Sequence, residues 1–175
     1  LRRYAELKDT AGGKIVNTDE ARELWHEYAA GPEARALHAR AVHEPSSWLA
    51  KVQWSKLLEP PIRTGRVLFL GGGGGSGKTS SLDDIEPGYA DRYDAIYDTT
   101  LANEKSAVKA IEQALASGRS VVVSMTYRAP LDSIINGIIP RAARKGRTVP
   151  LEIAAQAHRD APMVLDKLRA RYVED

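Results

Sequence analysis

One glycine-rich stretch, FLGGGGGSGKTSSLDD (69–84), constrains this chain more than any other feature. Residues 72–79 fit the pattern G-x-x-x-x-G-K-[ST]. The stretch follows an apolar run at 66–70, which is typical of a strand buried on both faces of a parallel sheet, and we predict a short helix over 78–84. This strand–loop–helix context indicates a phosphate-binding loop, because glycine lets backbone N–H groups converge on phosphate oxygens without an intervening side chain.

Each part of such a loop has its own task in binding a nucleoside triphosphate. Lys78 is expected to contact the β- and γ-phosphates, and the Thr79 hydroxyl is expected to bind Mg²⁺. ATP and Mg²⁺ are therefore the predicted cofactors. The alternative, a glycine-rich turn with a chance Gly-Lys-Thr, does not account for the flanking strand and helix. The residues assigned to the nucleotide are Gly72, Gly73, Gly74, Gly75, Ser76, Gly77, Lys78, Thr79 and Ser80.

Strands and helices alternate along most of the chain. Apolar runs at 12–16, 93–98 and 119–127 predict three further strands. Helices are predicted at 17–29, 32–43, 45–58 and 103–118, and two more are expected in the tail, at 149–158 and 160–173. Trp25, Trp48 and Trp54 are expected to pack in the core or between helices. The alternation predicts an α/β fold, a P-loop NTPase-like parallel sheet flanked by helices.

Composition excludes several other classes of protein. No apolar run approaches the length of about 18 residues that a transmembrane helix requires. The net charge of +2 over 175 residues gives no argument for a nucleic-acid partner. The chain contains no cysteine, which excludes disulfides and thiolate metal sites. We therefore expect a cytoplasmic protein that binds neither membranes nor nucleic acid.

A kinase needs a second feature besides the glycine loop. A carboxylate close to the γ-phosphate must accept the proton of the acceptor hydroxyl. In kinases of this kind it usually stands at the end of the strand after the loop helix. The strand that follows here ends at Asp98, and the segment between Thr79 and Tyr93 is too short for more than one helix and a turn.

The second half of the chain resembles the zeta toxin family, P-loop kinases that phosphorylate UDP-N-acetylglucosamine. YDTTL (97–101) stands where that family has Glu-Gly-Thr-Leu. The segment AVKAIEQALASGRSVVVSMTYRAP (107–130) resembles the next helix and strand of the family. PRAARKGRTVPLEIAAQAH (140–158) resembles its basic lid. By this resemblance Asp98 and Thr100 contact the sugar nucleotide, although Asp98 is shorter than the family's Glu and Thr99 replaces a glycine.

The family's Asp-x-Asp-like motif is expected at the other end of the chain. IVNTDEARELWHEY (15–28) resembles it, with a short strand, Asp19, Arg22 and Tyr28 in the family's order. We therefore predict a circularly permuted order in which the unit with the catalytic Asp19 precedes the glycine loop. Permutation is tolerated where the junctions lie on the surface. Plain helix capping by Asp19 and a solvated charge at Arg22 are the alternatives.

The remaining roles also follow from the resemblance. Asp19 is the proton acceptor, Arg22 contacts substrate or phosphate, and Arg141 and Arg144 are lid arginines that offset charge on the transferring phosphoryl group. An ordinary basic surface is the alternative for these lid arginines. Independently of the resemblance, Asp98 is expected to hold Mg²⁺, because it ends a strand next to the strand before the glycine loop. If Asp19 lies far from the loop, Asp98 becomes the base, and an Asp98 that merely caps the next helix is the remaining alternative.

The predicted organisation is a single kinase domain over 1–175. Segment 1–61 carries the catalytic Asp, and 62–175 carries the loop, the substrate strand and the lid. The resemblance implies an ATP-dependent transfer to a nucleotide-sugar hydroxyl, a toxin role, and an antitoxin or immunity protein as partner. Two other functions stay open: an ATPase or nucleotide switch within a larger protein, and a module that binds ATP without catalysis.

Overall fold

Four parallel strands form the sheet of this protein, in a computed structural model that describes residues 1–78 and 88–173. The strands lie in the order β1–β3–β2–β4. The strand that leads into the glycine loop, β2, is therefore flanked by β3 and β4. The predicted α/β fold with a parallel sheet flanked by helices is confirmed. The strand bounds are β1 (Ile15–Asn17), β2 (Arg66–Gly71), β3 (Ala95–Asp98) and β4 (Ser120–Met125).

Helices surround this sheet. The predicted loop helix at 78–84 lies, from Thr79 onward, outside the described residues. Within the part of the chain that the structure describes, no helix is both long enough and apolar enough to cross a lipid bilayer. The α-helices are α1 (Arg2–Ala5), α2 (Thr18–Ala21), α3 (His26–Ala29), α4 (Pro32–His38), α5 (His43–Leu57), α6 (Glu104–Ala116), α7 (Pro130–Ser133), α8 (Ile139–Lys145) and α9 (Leu151–Tyr172). A π-helical turn, Ile134–Ile138, joins α7 to α8.

Both faces of β2 are buried, which explains its unbroken apolar sequence. Val67 and Phe69 face a core formed with α5, α6 and α9. Leu68 and Leu70 face the opposite side, where they pack with a second apolar cluster that includes Tyr89, Tyr93 and Ile96. In the larger core, Trp54 contacts Phe69 edge-on, with ring centroids 5.3 Å apart.

In two segments the observed helices are divided differently from the predicted ones. The segment expected to be one helix from residue 17 to 29 is divided by Trp25, whose backbone is extended (φ −89°, ψ 113°). The tail, expected to hold two helices, is one helix, α9, which continues through Pro162. A proline inside a helix removes one backbone hydrogen bond, and its ring crowds the carbonyl of the preceding turn. Burial of Ala161 and Val164 on either side of Pro162 acts against this cost and favours continuation.

The prediction that the three tryptophans pack in the core or between helices is only partly correct. Trp54 is buried, but Trp48 is 65% exposed, so its expected core position is wrong. Trp25 is half-exposed and donates from Nε1 to Ser46 Oγ at 2.9 Å. The buried face of α5 consists instead of smaller and polar residues around Trp54, namely Ser46, Ala50 and Gln53.

A buried ion pair holds the connector between the first segment and β2. Arg119 Nε lies 2.8 Å from Asp94 Oδ2, with side chains 1% and 4% exposed. Arg119 also donates to the carbonyl oxygens of Leu58 and Glu59, and the Thr64 N–H donates to Asp94. Although burial acts against ionisation, these donors hold the pKa of Asp94 down at about 2. The pair thus fixes how the first segment joins the sheet.

Replacing Arg119 by alanine should strongly destabilise the protein. Removal of one partner of a buried pair typically costs about 3–5 kcal/mol, because the other charge is left without compensation. Arg171→Ala is the matched control, since Arg171 pairs with Glu112 at the surface, where an ion pair contributes little to stability. Urea unfolding of both variants measures the difference.

The effect should also depend on pH. Because the pKa of Asp94 is lowered on folding, its contribution is present above the ordinary Asp range near pH 4 and is lost as pH falls towards 2. The difference between wild type and Arg119→Ala should therefore shrink in acid. Equal losses in the two arginine variants would contradict the role given to Arg119.

Candidate functional site

The carboxyl ends of β1, β3 and β2 meet at one edge of the sheet. In the strand register Asn17 is paired with Asp98, and Asp98 is paired with Leu70. The glycine loop begins directly after Leu70, and its Gly72 N–H donates to the carbonyl oxygen of Thr100 at 3.1 Å. Ligands of open parallel sheets bind outside the carboxyl ends of the strands. The predicted substrate strand is therefore bonded to the predicted phosphate loop.

The glycine loop has a closely fitted backbone. A Cβ on Gly72 would lie 2.3 Å from the Thr126 carbonyl oxygen, and one on Gly75 would lie 2.6 Å from the Ser133 carbonyl oxygen. Both glycines also have positive φ, 135° and 74°, a region that favours glycine. Lys78 Nζ donates to the Gly72 carbonyl oxygen at 3.1 Å, so its ammonium is held over the loop.

One buried polar atom of the loop is left without a partner. The hydroxyl of Ser76 is buried and, among the described residues, makes no hydrogen bond. Such an atom normally costs free energy unless a ligand or water satisfies it. Together with the lysine and the glycine backbone, it gives the loop a set of donors that fits a phosphate chain.

Helix α9 supplies a residue of the site that sequence analysis missed, His158. Its ring is buried and its Nε2 lies 2.9 Å from the Gly74 carbonyl oxygen. The ring fills the space beside Gly73, where an added Cβ would lie only 2.4 Å from it. It also lines a cavity of about 240 Å³ between the loop, the end of β4 and α9. No motif marked this histidine, because only the packing of α9 brings it to the loop.

Asn17, also missed, connects the two predicted acids. Its Nδ2 donates to Asp98 Oδ2 at 2.6 Å, and its Oδ1 accepts from the Asp19 N–H at 2.7 Å. Asn17 is therefore the N-cap of α2, and Asp19 lies in the first turn. Likewise, the cap of α6 is Asn103. The side-chain caps of these two helices are therefore Asn17 and Asn103 rather than Asp19 and Asp98, while Asp19 lies in the first turn, where the helix dipole favours an acid.

Asp19 lies between two arginines. Arg141 donates to Asp19 Oδ2 at 3.0 Å, and Arg22 Nη1 lies 3.2 Å from Asp19 Oδ1. The Arg22 side chain is 14% exposed and its Nη2 lies 2.6 Å from His43 Nδ1, so Arg22 is not a solvated helix charge. The structure thus brings the predicted lid to the predicted catalytic acid, across 122 residues of sequence.

The two acids differ in how strongly they hold a proton. Burial raises the pKa of Asp98, although Lys78 and the Asn17 hydrogen bond act in the opposite direction. Desolvation also disfavours the charged form of Asp19, but Arg141 and Arg22 outweigh it and lower the pKa of that carboxyl. Asp19 and Arg141 both act electrostatically on Asp98. One cleft therefore contains two carboxyls whose proton affinities are shifted in opposite directions.

A second cluster fastens the lid to the first segment. Arg147 lies 2.8 Å from both Glu20 and Glu23, and Arg35 pairs with Glu23 at 2.9 Å. Gly146 packs so closely on Pro32 that a Cβ would lie 1.8 Å from the Pro32 carbonyl oxygen. Sequence analysis identified 140–158 as a basic lid, but the acidic partners of its arginines lie too far away in sequence to be inferred.

Arg144 differs from its neighbour Arg141. It is exposed and its Nε donates to the Pro140 carbonyl oxygen of its own helix at 3.2 Å. The structure therefore does not bring Arg144 to Asp19, and its lid role stays a prediction.

Thr79 and Ser80 lie outside the described residues. Among residues 1–78 and 88–173, no group of three or more His, Cys, Asp or Glu residues is arranged to hold a metal ion.

Comparison with known families covers part of this site. Residues 85–175, just over half of the chain, match the family model described as Zeta toxin. The match includes β3, β4 and the arginines of α8, whereas Asp19 and Lys78 lie outside it. The circularly permuted order therefore stays a prediction. No curated protein matches the chain.

Two neighbouring glycines of the loop should tolerate substitution very differently. Gly73→Ala would place its Cβ 2.4–2.5 Å from three atoms of the His158 ring, whereas the Cβ of Gly74→Ala would meet only Ile138, at 3.6 Å. Overpacking of this kind costs about 1–3 kcal/mol. Urea unfolding should therefore detect destabilisation in Gly73→Ala and almost none in Gly74→Ala. Equal stability of the two variants would contradict the placement of His158 against the loop.

Proposed function

Because this chain belongs to the zeta toxin family, we propose that it is an ATP-dependent kinase that phosphorylates a hydroxyl of a nucleotide sugar. UDP-N-acetylglucosamine is the proposed acceptor. The observation that carries the proposal is the convergence of an acid and a phosphate loop at one sheet edge. Asp98 is bonded through Asn17 to the Asp19 helix, and it also experiences the charge of Lys78.

The loop residues suit the triphosphate part of ATP. Glycine N–H groups, the unpartnered Ser76 hydroxyl and the Lys78 ammonium all donate hydrogen bonds. ATP with Mg²⁺, when bound, would supply the transferable phosphoryl group and neutralise part of its charge. Asp98 and Thr79 are the residues proposed to hold the metal ion.

Each residue around the acids has its own proposed role in phosphoryl transfer. In the proposed step the Asp19 carboxylate takes the proton of the acceptor hydroxyl as that oxygen bonds to phosphorus and ADP leaves. Arg141, with its guanidinium next to Asp19, offsets negative charge that develops on the phosphoryl oxygens. Arg22, Asp98 and Thr100 are the proposed contacts to the nucleotide sugar. Arg144 is a further lid arginine.

A toxin role follows from the same proposal. Phosphorylation of a nucleotide sugar removes a precursor from its pathway, and an antitoxin or immunity protein would prevent this in the producing cell. Such a partner would have to inhibit the kinase in that cell.

The proposal is tested by incubating the protein with MgATP and a panel of nucleotide sugars. A phosphorylated sugar nucleotide should form, and Lys78→Ala should abolish it, because the variant loses the cation nearest the transferred group. Asp19→Asn should lower kcat by at least about 10²-fold. Lys51→Ala is the control, since Lys51 is an exposed lysine of α5 and should behave like the wild type.

The other outcomes of this assay point to other functions. ATP hydrolysis without any acceptor product, unaffected by Asp19→Asn, would assign an ATPase. Binding of ATP with neither transfer nor hydrolysis would assign a binding module. Either result overturns the kinase proposal.

The pH dependence of kcat/KM should identify the proton acceptor. If Asp19 accepts the proton, its lowered pKa predicts that activity falls only below the ordinary Asp range near pH 4, as the carboxylate becomes protonated. An acidic limb above that range, absent in Asp98→Asn, would instead assign the role to Asp98, whose pKa is raised. Ionisation of the substrates is the same for both proteins, so their comparison isolates the protein group.

A further inference from the structure

Asn17 occupies a position from which one side chain controls both acids. Its two amide atoms make different bonds: Nδ2 donates to Asp98 at 2.6 Å and Oδ1 accepts from the Asp19 N–H at 2.7 Å. The Glu20 N–H approaches the same oxygen at 3.4 Å. A carboxylate in this position could accept the N–H groups but could not donate to Asp98. The amide therefore suits an arrangement in which a negatively charged Asp98 accepts a hydrogen bond.

The backbone of Asn17 is fixed from both sides. On one side it pairs with Asp98 in the β1–β3 register. On the other, its N–H donates to the hydroxyl of Tyr4 at 2.9 Å, and that hydroxyl donates to the Ile15 carbonyl oxygen at 2.8 Å. Tyr4 is fully buried. It thus satisfies the outer edge of β1, where no further strand is paired among the described residues.

We propose that Asn17 is the positioning residue of the acidic pair, holding the Asp98 carboxylate and the start of the Asp19 helix in one fixed relation. The inference rests on the proposed kinase function for its catalytic consequence. Asn17 would not touch the substrate, since its amide is already used by the protein on both sides. It would act through Asp98, keeping this carboxyl oriented and charged beside Lys78, and through α2, keeping Asp19 in place.

Two substitutions separate the donor function of Asn17 from its capping function. Asp and Ser cap helices about as well as Asn, so Asn17→Asp and Asn17→Ser should keep α2. Asn17→Ser replaces the amide that donates to Asp98 by a shorter hydroxyl, whereas Asn17→Asp replaces it by a carboxylate, which cannot donate to Asp98. Asn103→Asp is the matched control, because Asn103 caps α6 by accepting from the Ser106 N–H at 2.9 Å in an exposed position.

The first measurement is the position of the Asp98 side chain, from crystal structures of the variants. The Asp98 carboxyl should leave its wild-type orientation in both Asn17 variants, most in Asn17→Asp, where it faces a second carboxyl, and it should stay in place in Asn103→Asp. A role for Asn17 as a helix cap alone would leave Asp98 where it is, because Asp and Ser still cap α2.

The second measurement is steady-state phosphorylation. Both Asn17 variants should lower kcat by roughly 10- to 100-fold through misplacement of the acids, with the KM for ATP little changed because Asn17 is not part of the loop. An Asp98 carboxyl that keeps its wild-type orientation in both variants would overturn the proposal, and so would an unchanged kcat. If the wild type phosphorylates no acceptor, the kinase proposal fails, but the structures of the variants still decide whether Asn17 positions Asp98.

Discussion

Parallel pairing of β1 with β3 is the constraint on which the candidate site depends. β1 has only three residues, yet its register with β3 places Asn17 beside Asp98. The pairing of β3 with β2 sets the same Asp98 beside Leu70, directly before the glycine loop. Because all these strands run in the same direction, their carboxyl ends lie at one edge. A shift of one residue in β1 would turn Asn17 away from Asp98.

Most of the acids at this edge of the sheet are paired with arginines. Asp19 has Arg141 and Arg22, and the neighbouring glutamates have Arg147 and Arg35. Asp98 differs from these acids, because its direct partner is a neutral amide and burial raises its pKa. In a partly desolvated cleft, such a difference separates a carboxylate that arginines hold in its ionised form from one whose charged form is disfavoured by burial.

Contacts between the lid and the first segment join the two ends of the chain. Arg141 and Arg147, from the part that matches the family model, bind acids of α2 and the turn that follows it. The glycine loop is in turn packed between the π-helical turn at Ile138 and His158 of α9. A movement of the lid would therefore change the surroundings of both Asp19 and the glycine loop.

Sequence patterns predicted the parts of this protein whose signals are local. The glycine loop after a buried strand, the parallel α/β fold, the strand that ends at Asp98 and the family resemblance all followed from short stretches of residues. The division of the first helix at Trp25 and the exposure of Trp48 did not, since helical spacing shows that two residues share a face and not which neighbour covers that face.

The sequence by itself determined the loop, the order of strands along the chain and the identity of the acids and arginines. Only the tertiary structure decided that Asn17 joins Asp98, that Arg141 meets Asp19 and that His158 packs against Gly73. Asn17 and Asp98 are 81 positions apart in the sequence, and Asp19 and Arg141 are 122 positions apart. The bond from His158 to Gly74 spans 84 positions. The partners in these contacts are chosen by strand register and helix packing, which depend on the burial of the whole core rather than on any local pattern.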